Sequence, residues 1–100
     1  MISRQWRGLA KRQHADDYVE HLRTDTFPQL SRTPGFIAAS ILRRAVENGV
    51  EFVVVTQWES LGAIERFAGR DPEAAVVPRR VQDMMLEYDR RVRHYEVVDA

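Results

Sequence analysis

The hydrophobic and polar positions along this chain change period several times, from two in strand-like runs to about 3.6 in helix-like ones. The clearest change lies between Glu51 and Phe67, in the run EFVVVTQWESLGAIERF. The first half of this run is apolar on both alternating faces, which is typical of a strand covered on both sides. Ser60 then caps a predicted helix over 61–68, and Gly69 is placed to end it.

The same periodicities predict the remaining elements of the chain. The first strand places Ile2, Arg4 and Trp6 on one face. In chain order we predict a strand over 2–8, a helix from about 14, a short helical piece from Pro28 to about 33, a hairpin of strands 36–46 and 50–59 turning at Asn48-Gly49, a helical piece from Asp71 to Pro78, helical spacing over 81–88 and a closing strand over 91–98.

The order of these elements is βαββαβ, which predicts an α+β fold. It is the order of the ferredoxin-like plait, a four-stranded antiparallel sheet with both helices on one face. A chain of 100 residues supports one core, so we predict a single domain over 1–100. The second and third predicted strands are apolar on both faces, and the face without helices therefore needs cover. We expect a homodimer that packs sheet against sheet, a dimeric α/β barrel; the alternative is partial cover by the termini or by residues 71–85.

Charge and composition narrow the classes of partner. Fifteen basic residues balance fifteen acidic ones, so no net field attracts nucleic acid or an anionic membrane surface. The chain has no cysteine, which removes disulfides and thiolate chemistry. No apolar run is long enough to cross a bilayer or to form a signal peptide. We therefore expect a cytoplasmic protein that binds neither nucleic acid nor membranes.

Three segments resemble the antibiotic biosynthesis monooxygenase family, dimeric α/β-barrel proteins of ferredoxin-like fold. They are the first strand with Trp6, the run VVVTQWESLGAIERF that ends at Phe67, and the terminal HYEV from His94 to Val97. Members of that family include oxygenases of polycyclic aromatic substrates and haem-degrading enzymes. The resemblance implies a monooxygenase-like protein that needs no cofactor and acts on a small aromatic or quinone-like molecule.

The haem-degrading branch is tested by aligning its members on the Trp58-Glu59-Ser60 junction. Phe67 then falls where those enzymes tend to have a tryptophan, and Val77 falls about where their iron-ligating histidine lies. No histidine occurs between His21 and His94, and the asparagine expected in the first strand is missing. We therefore do not predict haem degradation for this chain.

Metal chemistry is also not predicted. His14 and His21 are two helical turns apart, roughly 10 Å, which is too far for both to hold one ion. No phosphate-binding loop or nucleophile elbow is present, and Ser60 is interpreted as a helix cap. We expect neither a metal nor a cofactor.

An oxygenase without a cofactor needs an apolar pocket, a base that titrates near neutrality and donors that stabilise an anion. His21 and His94 are the two candidate bases, since His21 shares a helix face with Tyr18 and His94 lies on the last strand. The structural alternative for each is a half-buried histidine bonded to the backbone.

The candidate substrate contacts are aromatic residues for the pocket wall and arginines for an anionic oxygen. The competing interpretation of the tryptophans is core or dimer packing. The competing function is a non-catalytic ligand-binding or stress-associated dimer, in which a pocket exists but no base is positioned. The candidate contacts are Trp6, Arg7, Tyr18, Arg43 and Trp58.

Overall fold

The chain folds into an antiparallel sheet with its helices packed on one face. A computed structural model describes residues 1–98, so the end of the predicted domain, residues 99 and 100, lies outside the description. The elements are β1 (Ile2–Ala10), a 3₁₀ turn (Arg12–His14), α1 (Ala15–His21), a π-helical turn (Leu22–Thr26), α2 (Phe27–Ser31), β2 (Phe36–Val46), β3 (Gly49–Trp58), α3 (Leu61–Ala68), α4 (Arg79–Gln82), β4 (Met85–Tyr88) and β5 (Arg93–Glu96).

The strand order is β2-β3-β1-β4, with β5 also paired to β1 and every pairing antiparallel. This is the predicted ferredoxin-like plait, and the sheet of the single chain is open. The closing strand predicted over 91–98 is present as β5, and β4, which was not predicted, lies on the same edge of β1. Gly8 pairs with Tyr88 of β4, and Ile2 pairs with Glu96 of β5.

The two strands are separated because residues 90–92, which follow a last bond from the Asp89 amide to the Arg7 carbonyl, leave the edge of β1 and pair with residues 73–75. The Val92 amide donates to the Glu73 carbonyl at 2.8 Å, and the Ala75 amide donates to the Arg90 carbonyl at 2.9 Å. We call residues 71–78 the strap, because this segment runs outside the sheet and is tied to it through residues 90–92.

Two segments predicted to be helical, 71–78 and 81–88, differ from the prediction because their backbones pair with residues far along the chain. Asp71 forms only a turn, in which its Oδ1 accepts the Glu73 amide at 3.2 Å, and the strap that follows is paired instead of helical. The helical spacing predicted over 81–88 holds only as far as Gln82, where α4 ends. Residues 85–88 form β4, because pairing with β1 satisfies their backbone groups.

A β-bulge at Ile37 changes the phase of β2. Phe36 lies opposite Trp58, whereas Ala38 lies opposite Gln57, so one extra residue stands between these pairs. Phe36 therefore points to the helix face and packs edge-on against Trp58, with ring centroids 5.4 Å apart. Strict alternation from residue 36 would have placed Phe36 on the same face as Leu42, and the bulge reverses this.

The core lies between the helices and the sheet. Phe52, Trp58 and Ile64 are its largest fully buried side chains. Ser60 caps α3 by accepting the Ala63 amide at 3.2 Å, and Gly69 ends the helix at a φ of 88°. Both predicted boundaries of α3 are thus confirmed.

The sheet face without helices, called the open face below, is mixed in character. Leu42 of β2 is 54% exposed there, and Arg7 lies on the same face between its neighbours on β3 and β4. Glu51 accepts from Arg7 and from Arg44, at 2.7 Å in each case. The expectation of a face without polar residues is therefore wrong at this charged cluster.

Candidate functional site

A half-open cavity of about 80 Å³ lies between the helices and the sheet. Its walls come from β1, β3, the helical segment over residues 15–31, α3 and the strap. Most of the lining is aromatic or aliphatic, and the basic side chains of Arg4 and His21 and the hydroxyls of two threonines interrupt it. Such an apolar cavity with a few convergent polar groups is the usual form of a small-molecule site.

The local structure explains why these side chains meet. Alternation along β1 turns Arg4 and Trp6 to the helix face, and the apolar stripe of α1 turns Tyr18 toward the sheet. Directly after His21 the helix widens into the π-helical turn, and Thr26 at the end of that turn also lines the cavity. Such π turns occur frequently at functional sites.

Arg4 is a buried cation with no anionic partner among the residues that the structure describes. It is only 5% exposed, and no carboxylate of residues 1–98 lies within 4.0 Å of its guanidinium. Nη1 donates to the Pro72 carbonyl and to Nε2 of His94, and Nη2 donates to the Ala74 carbonyl at 3.0 Å. Burial lowers the pKa of Arg4 to about 10, so the group remains charged at neutral pH.

Three of the five N–H hydrogens of Arg4 are used by these bonds. Nε and one hydrogen of Nη2 have no acceptor among the described residues. The guanidinium also lies over the ring of Phe67, 5.6 Å from its centroid. Arg4 thus holds the strap and still has donors free for a ligand in the cavity.

His21 is the histidine that lines the cavity. It is 3% exposed, and its Nδ1 is a buried polar atom without a hydrogen-bond partner within residues 1–98. The nearest carboxylate oxygen, Oδ2 of Asp25, is 3.7 Å away. Burial lowers the pKa of His21, Asp25 raises it, and Arg80 lowers it further. The net result is a neutral imidazole at pH 7.

Trp6 and Tyr18 line the cavity, as their predicted role requires. Trp6 donates from Nε1 to the Asp89 carbonyl at 2.9 Å, which fixes its ring. Tyr18 packs edge-on against Phe52 at 4.9 Å between centroids, and burial raises the pKa of its hydroxyl.

Trp58 is a core residue that does not line the cavity. Its ring is fully buried and stacks on Phe67 at 5.7 Å between centroids. Nε1 of Trp58 donates to Oγ1 of Thr56 at 2.9 Å. This arrangement matches the packing alternative for Trp58 and leaves no part of it free to contact a ligand.

The two arginines predicted to hold an anionic oxygen are both away from the cavity. Arg7 points to the open face, because strand alternation places it opposite Arg4 and Trp6. Arg43 is exposed and lies 3.4 Å from Asp16 at the protein surface. We therefore no longer assign either residue to the substrate site.

Arg4 is the arginine that sequence reasoning missed. Its position on the same strand face as Ile2 and Trp6 was the signal available, since a charged residue between two core residues must be buried with them.

No group of three or more histidine or acidic side chains within residues 1–98 is arranged to hold a metal ion. In the same range, no helix has the length and apolarity that crossing a membrane requires.

Several solved structures share this fold over nearly the whole chain. A Bacillus cereus protein assigned to the antibiotic biosynthesis monooxygenases is 22% identical, with a TM-score of 0.68 and coverage of 100% of this chain and 95% of that one. SnoaB, a cofactor-independent oxygenase from Streptomyces nogalater, is 13% identical, with a TM-score of 0.64 and coverage of 99% and 94%. The haem degrader MhuD from Mycobacterium tuberculosis is 19% identical, with a TM-score of 0.62 and coverage of 100% and 98%. At these identities the likeness establishes the fold.

The cavity of this protein does not fit a haem. Phe67 and Val77 both line it, so the position aligned with the iron-ligating histidine of haem-degrading proteins carries an aliphatic side chain that cannot ligate iron. A volume of about 80 Å³ is also far below that of a porphyrin. We therefore derive no step through haem.

The sequence itself identifies the family. No curated protein matches the chain. The family model described as antibiotic biosynthesis monooxygenase matches residues 1–78, which include β1, the helices packed on it, the β2–β3 hairpin and α3. The protein therefore belongs to the antibiotic biosynthesis monooxygenase family.

Proposed function

We propose that this protein is a monooxygenase that needs no cofactor and oxidises a small aromatic or quinone-like substrate in the cavity. The observation that carries the proposal is the pairing of two incompletely bonded groups in one apolar site. His21 lines the cavity with an imidazole whose Nδ1 has no hydrogen-bond partner within residues 1–98, and Arg4 lines it with a cation that has two N–H donors without an acceptor in the same range. These are the base and the anion-stabilising donor that such chemistry needs.

The proposed reaction begins with removal of a proton from an activated CH₂ or phenol of the substrate by neutral His21. The resulting anion is stabilised by Arg4, since no carboxylate within residues 1–98 lies within 4.0 Å of its guanidinium. For a CH₂ group, the carbanion forms a C–O bond with dioxygen, and loss of water from the hydroperoxide leaves a ketone. One oxygen atom enters the product, the other leaves as water, and the substrate supplies the electrons.

The test follows oxygen uptake with a panel of anthrone-type and dihydroquinone substrates. We expect one O₂ consumed per ketone formed, and a rate lowered about 100-fold or more in His21→Asn, the usual contribution of a general base. His14→Asn is the matched control, because His14 lies at the start of α1 and outside the cavity. A wild-type protein that consumes no oxygen with any substrate would contradict catalysis.

The second candidate function is a non-catalytic small-ligand-binding or stress-associated protein. The small size of the cavity favours it, since about 80 Å³ is half the volume of an engineered cavity of roughly 150 Å³ that binds one benzene, and turnover needs room for a substrate and dioxygen together. A polycyclic substrate needs the strap or the π-helical turn to move outward. Saturable binding of a monocyclic aromatic compound, without turnover of the panel, would favour this function.

We also propose that two copies associate through the open face and complete an α/β barrel. Leu42 is exposed there, and each large apolar side chain covered by a partner contributes about 1.5–3 kcal/mol. The charged cluster of Arg7, Arg44 and Glu51 carries both signs of charge. In a two-fold dimer this face packs against the same face of the partner, so positive groups of one subunit can pair with negative groups of the other.

A further inference from the structure

We infer that the ligand of this cavity is a small aromatic carboxylate, whose carboxylate binds to Arg4. The inference rests on the proposed function in placing the substrate in the cavity, and it goes further by assigning its charge. Three observations carry it: the lack of a counter-ion for Arg4 among residues 1–98, the two N–H donors that Arg4 has left after its bonds to the protein, and the character of the remaining wall.

The missing counter-ion sets the charge of the ligand. Most buried arginines in proteins are paired with a carboxylate, because an isolated charge in a low-dielectric site is costly. Arg4 is 5% exposed and has two backbone carbonyls and one neutral histidine as partners among the described residues. An anionic ligand supplies the missing charge, whereas a cationic ligand adds to it.

The free donors select a carboxylate among anions. Nε–H and one Nη2–H remain after the bonds to Pro72, Ala74 and His94. A guanidinium binds a carboxylate through two parallel N–H···O bonds, and such charge-assisted pairs are about twice as strong as neutral hydrogen bonds. A phenolate offers one oxygen and uses this pair of donors less completely.

The rest of the wall selects a single aromatic ring. Trp6, Phe67 and Val77 present aromatic and aliphatic surface, and Phe67 lies directly under the guanidinium. A volume of about 80 Å³ favours a monocyclic compound over a polycyclic one. An aromatic monocarboxylate therefore matches the cavity in charge and polarity, and its ring needs the strap or the π-helical turn to move outward.

Benzoate and benzamide form a matched pair for the test, because they share size and shape and differ in charge. Titrations of the wild-type protein at pH 7.5, followed by calorimetry and by tryptophan fluorescence, compare their dissociation constants. We expect benzoate to bind about 10-fold or more tightly than benzamide, the difference that a charge-assisted pair supplies. Equal affinities, or no saturable binding of benzoate, would overturn the inference.

Substitutions test whether Arg4 is the residue that causes the preference for benzoate over benzamide. Arg4→Met should abolish the preference for benzoate, and Arg43→Met, which removes an exposed arginine outside the cavity, should retain it. Because Arg4 also holds the strap, Arg4→Lys provides a second variant that keeps the charge and loses the two-point geometry. We expect it to fold and to bind benzoate more weakly than wild type. Retention of full benzoate preference in both Arg4 variants would overturn the assignment.

These results are separable from those for the proposed function. Oxygen uptake by a protein that binds benzoate and benzamide equally would overturn the carboxylate inference alone. A clear preference for benzoate in a protein that consumes no oxygen would overturn the monooxygenase proposal alone.

Discussion

Nη1 of Arg4 donates a hydrogen bond to Nε2 of His94 over 3.0 Å. Arginine has no acceptor, so Nε2 carries the lone pair and His94 is neutral with its proton on Nδ1. Burial lowers the pKa of His94, the charge of Arg4 lowers it further, and Glu73 opposes both. His94 therefore orients Arg4, and its Nε2 is not free to accept a proton from a substrate.

This relationship predicts a loss of stability in acid. The pKa values of His21 and His94 are both lowered in the folded protein, so the unfolded chain binds protons first as the pH falls below about 6.5. We expect the free energy of unfolding to be full above that pH and to decrease toward about pH 5. Urea unfolding across this range should show a smaller decrease in His94→Gln, whereas His14→Gln should keep the wild-type decrease. An unchanged decrease in His94→Gln would contradict the pairing with Arg4.

We predict that His21 lowers the free energy of unfolding of the protein. A buried polar atom without a partner is unfavourable by about 1–3 kcal/mol, and Nδ1 of His21 is such an atom. We expect His21→Leu to raise the free energy of unfolding at pH 7.5 by about 1 kcal/mol while it abolishes oxygen uptake. Denaturant unfolding measures the first effect. A lower unfolding free energy in His21→Leu would indicate that His21 is bonded in solution and is a structural residue.

The proposed dimer predicts opposite outcomes for two exposed leucines. Leu42 is 54% exposed on the open face, and Leu61 is 46% exposed on α3, which covers the other face of the sheet. We expect Leu42→Arg to convert a dimer into a folded monomer, and Leu61→Arg to remain dimeric. Sedimentation velocity distinguishes these states. A dimeric Leu42→Arg protein would place the interface elsewhere.

Two glycines are predicted to respond in opposite directions to alanine. Gly35 has a φ of 91°, and a Cβ there would collide with Cβ of Ala63. We expect Gly35→Ala to lower the unfolding free energy by about 1–3 kcal/mol. Gly62 lies inside α3, where the nearest atom to an added Cβ is Oγ of Ser60 at 3.7 Å, so Gly62→Ala should raise it by about 0.5–1 kcal/mol. Thermal unfolding of both variants is the measurement, and a stabilised Gly35→Ala would contradict the described turn.

Local patterns predicted the parts of the fold that local interactions determine. The Ser60 cap, the end of α3 at Gly69 and the β2–β3 hairpin all follow from short runs of residues, and the structure contains each of them. The strap and β4 depend instead on partners far along the chain, such as the pairing of Ala74 with Arg91. A helical spacing in the sequence could not reveal that competing pairing.

The candidate site was predicted in part for a similar reason. Tyr18 and His21 share a helix stripe, so their common direction was readable, as was that of Trp6 on β1. Alternation along the first strand is enough to place Arg4 and Arg7 on opposite faces of the sheet. It does not tell which of these two faces the helices cover, and so which arginine lines the pocket. Trp58 could not be placed from its residue type, because a buried tryptophan is equally suited to packing and to ligand contact.

The two rims of the sheet differ in what they can accept from another molecule. The rim formed by β4 and β5 is interrupted at residues 90–92, where the backbone turns to the strap, and offers no long run of free amides and carbonyls. The rim formed by β2 extends over Phe36–Val46 and is irregular only at the Ile37 bulge. Edge-to-edge pairing, the general hazard of exposed strands, is therefore confined to β2, and because each molecule offers one such edge, this pairing ends at two molecules and does not continue into a fibre.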